Sequence, residues 1–182
     1  ALFGALAVAL LFVVIARLAD DAFAGLAGAF ALAMSHTMWY HSVFPEVYSL
    51  NTLFTVLIFA GCVEWHLSGR GAWLGLAFSA GALGCANHLL AGMSLVPVAA
   101  WVAFAAHRRK CLVKCAGWCV AGAVVGGLPL AILVARDAAE IGWPEAMRMA
   151  LVGGPGVTGE HRFSYGGAMF RLLDPATLTQ LA

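Results

Sequence analysis

His36-Thr37-Met38-Trp39-Tyr40-His41-Ser42-Val43-Phe44-Pro45-Glu46-Val47-Tyr48-Ser49-Leu50-Asn51 is a polar and aromatic island between two long apolar runs. It holds two of the six histidines and two of the three tyrosines, and a proline followed directly by a carboxylate. A cluster of this kind needs a reason if everything around it lies in lipid. The surroundings do read that way. Of 182 residues, 63% are hydrophobic and only 10% are charged, and the mean hydropathy is +0.91. A soluble domain carries roughly 25% charged residues, so this chain cannot cover its own surface with charge. The composition implies an integral membrane protein whose surrounding partner is the lipid bilayer. A net charge of +1 gives no ground for a nucleic-acid partner.

Working outward from the island, a spanning helix needs roughly 20 mostly apolar residues. Six candidates are visible: 1–16, 22–38, 45–65, 72–87, 91–106 and 115–135. Glycine and alanine are abundant in all of them, as suits helices that approach closely in lipid. Gly126-Gly127-Leu128-Pro129 predicts a kink in the sixth. The expected fold is therefore all-α, a polytopic transmembrane bundle of about six helices over 1–135. An interfacial helix and loop would follow over 136–182. There, Trp143 to Val152 reads as a short amphipathic helix. Gly153 to Gly159 is glycine-rich but lacks the Gly-Lys-Ser/Thr ending of a phosphate loop. The chain opens on Ala1-Leu2-Phe3 inside an apolar run, which reads as a piece of a longer protein.

Charge orients the bundle. Arg17, Arg70, Arg108, Arg109, Lys110 and Lys114 fall in one set of connections, while Trp39 to Phe44 and His88 to Leu90 hold no Lys or Arg. By the positive-inside rule the first set is cytoplasmic and the N-terminus lies outside. The polar chemistry then gathers on the outer face of a multi-pass protein.

The candidate residues each admit two readings. Pro45 and Glu46 make an ordinary helix start, since proline lacks the amide that would be orphaned there and the carboxylate meets the positive helix end. Tyr48, Asn51, Thr52 and Thr55 share one side of the third span, and a polar stripe in a membrane helix calls for a bundle interior or a wet cavity. Asn87-His88 is either a helix-end cap or part of that cavity. His36 and His41 flank Trp39-Tyr40, where an aromatic belt is also expected. His36, His41, Glu46 and His88 are chemically admissible ligands for a divalent metal, but their spacing fits no signature, so no metal or other cofactor is assigned. Arg162 could hold a lipid phosphate through its planar fork, or be a solvated loop residue. The five cysteines, Cys62, Cys85, Cys111, Cys115 and Cys119, form no Cys-x-x-Cys pair and read as small apolar packing residues.

Trp39, then Pro45-Glu46-Val47-Tyr48-Ser49-Leu50-Asn51-Thr52-Leu53-Phe54, then Gly84-Cys85-Ala86-Asn87-His88, resembles a bacterial membrane family catalogued as a domain of unknown function. That family is related to protein O-mannosyltransferases of the C-type glycosyltransferase superfamily and has a eukaryotic relative. The resemblance covers roughly the first 105 residues. The chain departs from the pattern with Tyr40-His41 where the family has Ser-Gln, and with Pro45 where it has Ala. The resemblance implies a glycosyltransferase (a hexosyltransferase) in the bacterial inner membrane. Its donor would be a polyprenyl-phosphate-linked sugar, its acceptor a protein or glycan, and its site would face outward. Glu46 would be a supporting carboxylate or base, with Trp39, His41, Tyr48, Asn51, Asn87, His88 and Arg162 around the substrate. The first helix and first outer loop, where the superfamily carries its main acidic residue, are expected upstream of Ala1. The rival class is a transporter or permease whose outward polar cluster binds a solute. Its marks would be broken helices and repeated halves; only the glycine-proline break appears here. A structural subunit without chemistry is the third class.

Overall fold

The computed structural model describes residues 2–43, 48–88 and 90–152. Among them the chain forms eight helices and no strand. In order they are α1 (Leu2–Ala19), α2 (Ala22–Ala33), α3 (His36–Val43), α4 (Tyr48–Ser68), α5 (Ala72–Asn87), α6 (Leu90–Arg108), α7 (Leu112–Ile141) and α8 (Trp143–Val152). The all-helical expectation holds. Three helices, α1, α4 and α7, are long and apolar enough to cross a membrane, and α2 and α5 are shorter apolar helices. The protein is an integral membrane protein.

Local chemistry sets the boundaries. Asp21 caps α2 by accepting from the Phe23 amide at 2.8 Å, which satisfies one of the orphan donors of a helix start. The second expected span, 22–38, divides in two. Helix α2 stops at Ala33, and the Ser35 hydroxyl accepts from the Met38 amide at 3.2 Å to start α3. At 12 residues, α2 is about 18 Å long by the 1.5 Å rise per residue. Helix α7 runs through Gly126, Gly127 and Pro129 for 30 residues.

Helix α5 is the hub, packing on α4, α6 and α7, while α1 joins α2 and α4. The core reads off helical spacing: Leu50, Phe54, Ile58, Cys62 and Trp65 form one stripe of α4. They meet Leu74, Ala77 and Ala80 of α5, Val98 and Val102 of α6, and Cys115 of α7. Met38 of α3 is buried with Ala7, Val14 and Val56. The outside is apolar as well. Val113 is 87% exposed, Phe23 77% and Val96 70%, as a lipid-facing surface requires.

Contact between α5 and α7 is made by backbone. Gly122 and Gly126, four residues apart on α7, lie against the carbonyls of Gly75 and Ser79, so closely that a Cβ at either would overlap the oxygen. In lipid, association relies on van der Waals packing because tails are as apolar as leucine. Only glycine lets the two helix axes approach this far. Gly126 is thus accounted for by close packing on α5.

Candidate functional site

The antiparallel pair α4/α5 builds the site. Its register sets Gly61 against Ala77 and Phe54 against Gly84. At the end of the pair, the rings of Tyr48 and His88 meet with centroids 5.6 Å apart and planes tilted by 38°. The same register brings Asn51 to the level of Asn87. Asn87 is fully buried. It is the last helical residue of α5; the cap position falls on His88, whose backbone is extended and whose amide donates to the Gly84 carbonyl at 2.8 Å. The buried Asn87 amide therefore sits inside the bundle and leaves the capping to its neighbour.

Asn51 is half-buried. Its Oδ1 is shut off from solvent and accepts no hydrogen bond from any described residue. Burying such an oxygen unmet costs roughly 1–3 kcal/mol, so the position calls for a donor. The threonines of the expected polar stripe differ. Thr52 donates to the Tyr48 carbonyl and Thr55 to the Asn51 carbonyl, both at 3.0 Å. Their hydroxyls are satisfied within α4 and need no cavity. Tyr48, the first residue of α4, remains 39% exposed.

Four of the residues expected at the site, Tyr48, Asn51, Asn87 and His88, are thus brought to one end of α4/α5. Trp39 stands on α3, 64% exposed, while its neighbour Met38 is the residue that turns into the core. His36 stacks on Tyr40 along the exposed side of α3, with centroids 6.4 Å apart. His41 belongs to α3, but its side chain lies outside what is described, and Glu46 and Arg162 lie outside the described residues. Among the described residues, no three or more His, Cys, Asp or Glu side chains gather as metal ligands, and two of the four ligands considered from sequence, His41 and Glu46, fall outside that test.

The opposite end of the bundle collects the charge. Arg17 of α1 donates to Glu64 of α4 at 3.0 Å. Arg109 lies over the Trp65 ring at 5.2 Å and donates to the His66 carbonyl at 3.1 Å, with His66 Nδ1 at 3.2 Å. Sequence reading passed over Glu64 because it stands alone near the end of an apolar helix. The signal available was a lone acid at one helix end and a lone arginine, Arg17, at another.

Residues 1–112 match the family described as the protein O-mannosyl-transferase TMEM260 N-terminal domain. The chain belongs to this family. The TMEM260 N-terminal domain match takes in α1 to α6, and with them Tyr48, Asn51, Asn87 and His88; Arg162 falls beyond it. Mouse protein O-mannosyl-transferase TMEM260 is 31% identical over 115 residues, which is 60% of this chain. The chain spans 16% of the length of that relative. No solved structure matches the chain. The resemblance carried by Glu46 to Asn51 and by Asn87-His88 thus points to the same O-mannosyl-transferase relationship that the comparisons give.

Proposed function

We propose that the full-length protein is a membrane glycosyltransferase of the O-mannosyltransferase kind. It moves a hexose from a polyprenyl-phosphate donor to a protein or glycan acceptor on the outer side of a bacterial inner membrane. The supporting observation is that the family match covers the α4/α5 end where Tyr48, His88, Asn51 and Asn87 converge.

Sugar transfer to a hydroxyl needs a carboxylate to take the acceptor proton and hydrogen-bond donors for the leaving phosphate. Glu46, two residues before α4 in the sequence, is the carboxylate we assign to this role. His88 supplies a donor, and the fully buried Asn87 holds the end of α5 behind it. Asn51 is half-buried with an Oδ1 that no described residue satisfies, and it is the acceptor we assign to a sugar hydroxyl. Tyr48 lies against His88 and fixes its ring. Membership of the C-type superfamily is part of the same proposal.

Glu46→Gln in the full-length protein tests the proposal. The expected result is at least a hundredfold loss of glycan on the acceptor, in line with the 10²–10⁴-fold typical of a general acid or base, with expression and membrane insertion unchanged. Unchanged glycosylation would overturn the role of Glu46. Loss of solute uptake with glycosylation intact would replace the transferase with a carrier.

A further inference from the structure

The charged end of the bundle holds a second candidate site, independent of the sugar-transfer reading. A cavity of about 410 Å³ lies between α1, α4 and α6, walled by Leu18, Phe59, Val63, His66, Pro97 and Trp101. Its walls are almost wholly apolar, and His66 is its polar edge. Cations stand on both sides of that edge. Arg17 adjoins Leu18 and reaches across to Glu64. Arg109 is held on the other side by His66 and by the face of Trp65. Glu64 balances Arg17, whereas no described residue supplies a carboxylate to Arg109 within ion-pair distance.

We infer that this groove binds one glycerophospholipid with an anionic headgroup, its phosphate on Arg109 and one acyl chain along the apolar walls. Charge selects the head. Arginine offers five donors in a rigid fork suited to a phosphate. Two of its contacts here, to the His66 carbonyl and Nδ1, run through Nη2 alone, so Nε and Nη1 stay available. Volume selects the tail. A single turn of a helix, about 10 Å across and 5.4 Å in pitch, already takes up roughly 420 Å³. The groove therefore has room for a flexible chain and far too little for a spanning helix. Depth agrees too: the polar edge lies at helix ends, where a headgroup sits, and the walls run inward towards Phe59 and Pro97. Basic pockets between membrane helices hold anionic lipid heads by this combination.

The experiment is native mass spectrometry of the full-length protein in mild detergent. It is loaded with an equal mixture of phosphatidylglycerol and phosphatidylcholine of the same acyl chains. The wild type is expected to retain one phosphatidylglycerol with a preference of about fivefold or more, the effect of one surface cation. Arg109→Gln should bring the preference close to unity. Val63→Phe, which fills the groove and leaves the charges alone, should lower retention of both lipids together. Equal retention of the two lipids by the wild type would overturn the proposal, as would an unchanged preference in Arg109→Gln. Retention of a polyprenyl phosphate in place of phosphatidylglycerol would overturn it as well.

Discussion

Asn51→Leu separates stability from activity at a single side chain. The substitution keeps roughly the same shape and removes a buried oxygen that no described residue satisfies. Replacing an unmet buried polar group with an apolar one is close to neutral or stabilising, by up to about 1 kcal/mol. If that oxygen serves the sugar, transfer falls about fivefold or more, since one lost hydrogen bond to a neutral partner is worth about 1 kcal/mol or more. Thermal unfolding in detergent and a glycosylation assay, run on the same preparation, check both halves. A variant that is less stable and fully active would sink the assignment. The sequence singles out Tyr48, Asn51, Asn87 and His88 because polar residues are rare in such a chain, and each of them reaches the same end of α4/α5. It does not separate them from Thr52 and Thr55, whose hydroxyls turn back onto their own helix. Spacing alone carries no information on whether a hydroxyl is already satisfied four residues upstream.

Between elements, two neighbouring glycines of α7 should behave in opposite ways. A Cβ at Gly126 would overlap the Ser79 carbonyl, and backbone of a central helix cannot move aside at little cost. Gly126→Ala should destabilise the bundle by about 3 kcal/mol, the upper range of overpacking. Nothing lies within 4 Å of a Cβ placed at Gly127. Gly127→Ala should be neutral or stabilising by up to about 1 kcal/mol, because alanine costs less than glycine in a helix interior. The measurement is the midpoint of thermal unfolding for the two variants side by side. From sequence, Gly126, Gly127 and Pro129 read together as a kink. The pairing of Gly122 with Gly126 becomes meaningful only once α5 is known to lie against that face. Helix α2 shows a similar limit. The apolar run from Ala22 gives way at Ser35-His36-Thr37, where the Ser35 hydroxyl caps the start of α3, so the expected span to Met38 joins two helices.

Across the whole molecule, the two ends differ in chemistry. Arg17, Glu64, His66 and Arg109 cluster at one, and Tyr48, Asn51, Asn87 and His88 at the other. The distribution of Lys and Arg among the connections already divides the helix ends into the same two groups, which is why this much is legible in the sequence. The positive-inside rule then predicts sidedness. In a background with the native cysteines replaced, Glu140→Cys should react with an impermeant maleimide added outside intact cells. Ala72→Cys, at the basic end, should react only after permeabilisation. The reverse pattern would place the Tyr48/His88 end in the cytoplasm and remove the outward-facing site.

The shortness of α2 bears on the membrane itself. Its 12 residues reach about 18 Å, against a hydrocarbon thickness of roughly 30 Å, and its neighbour α1 is half as long again. The following helix, α3, exposes Trp39 and Tyr40, side chains that settle at headgroup depth. Lipids beside α2 can thin to follow it, at a cost of a fraction of a kcal/mol per ångström of mismatch. The protein would then sit in a dimple of its own making, and a water-borne acceptor approaching along α3 would have less hydrocarbon to cross than anywhere else around the bundle.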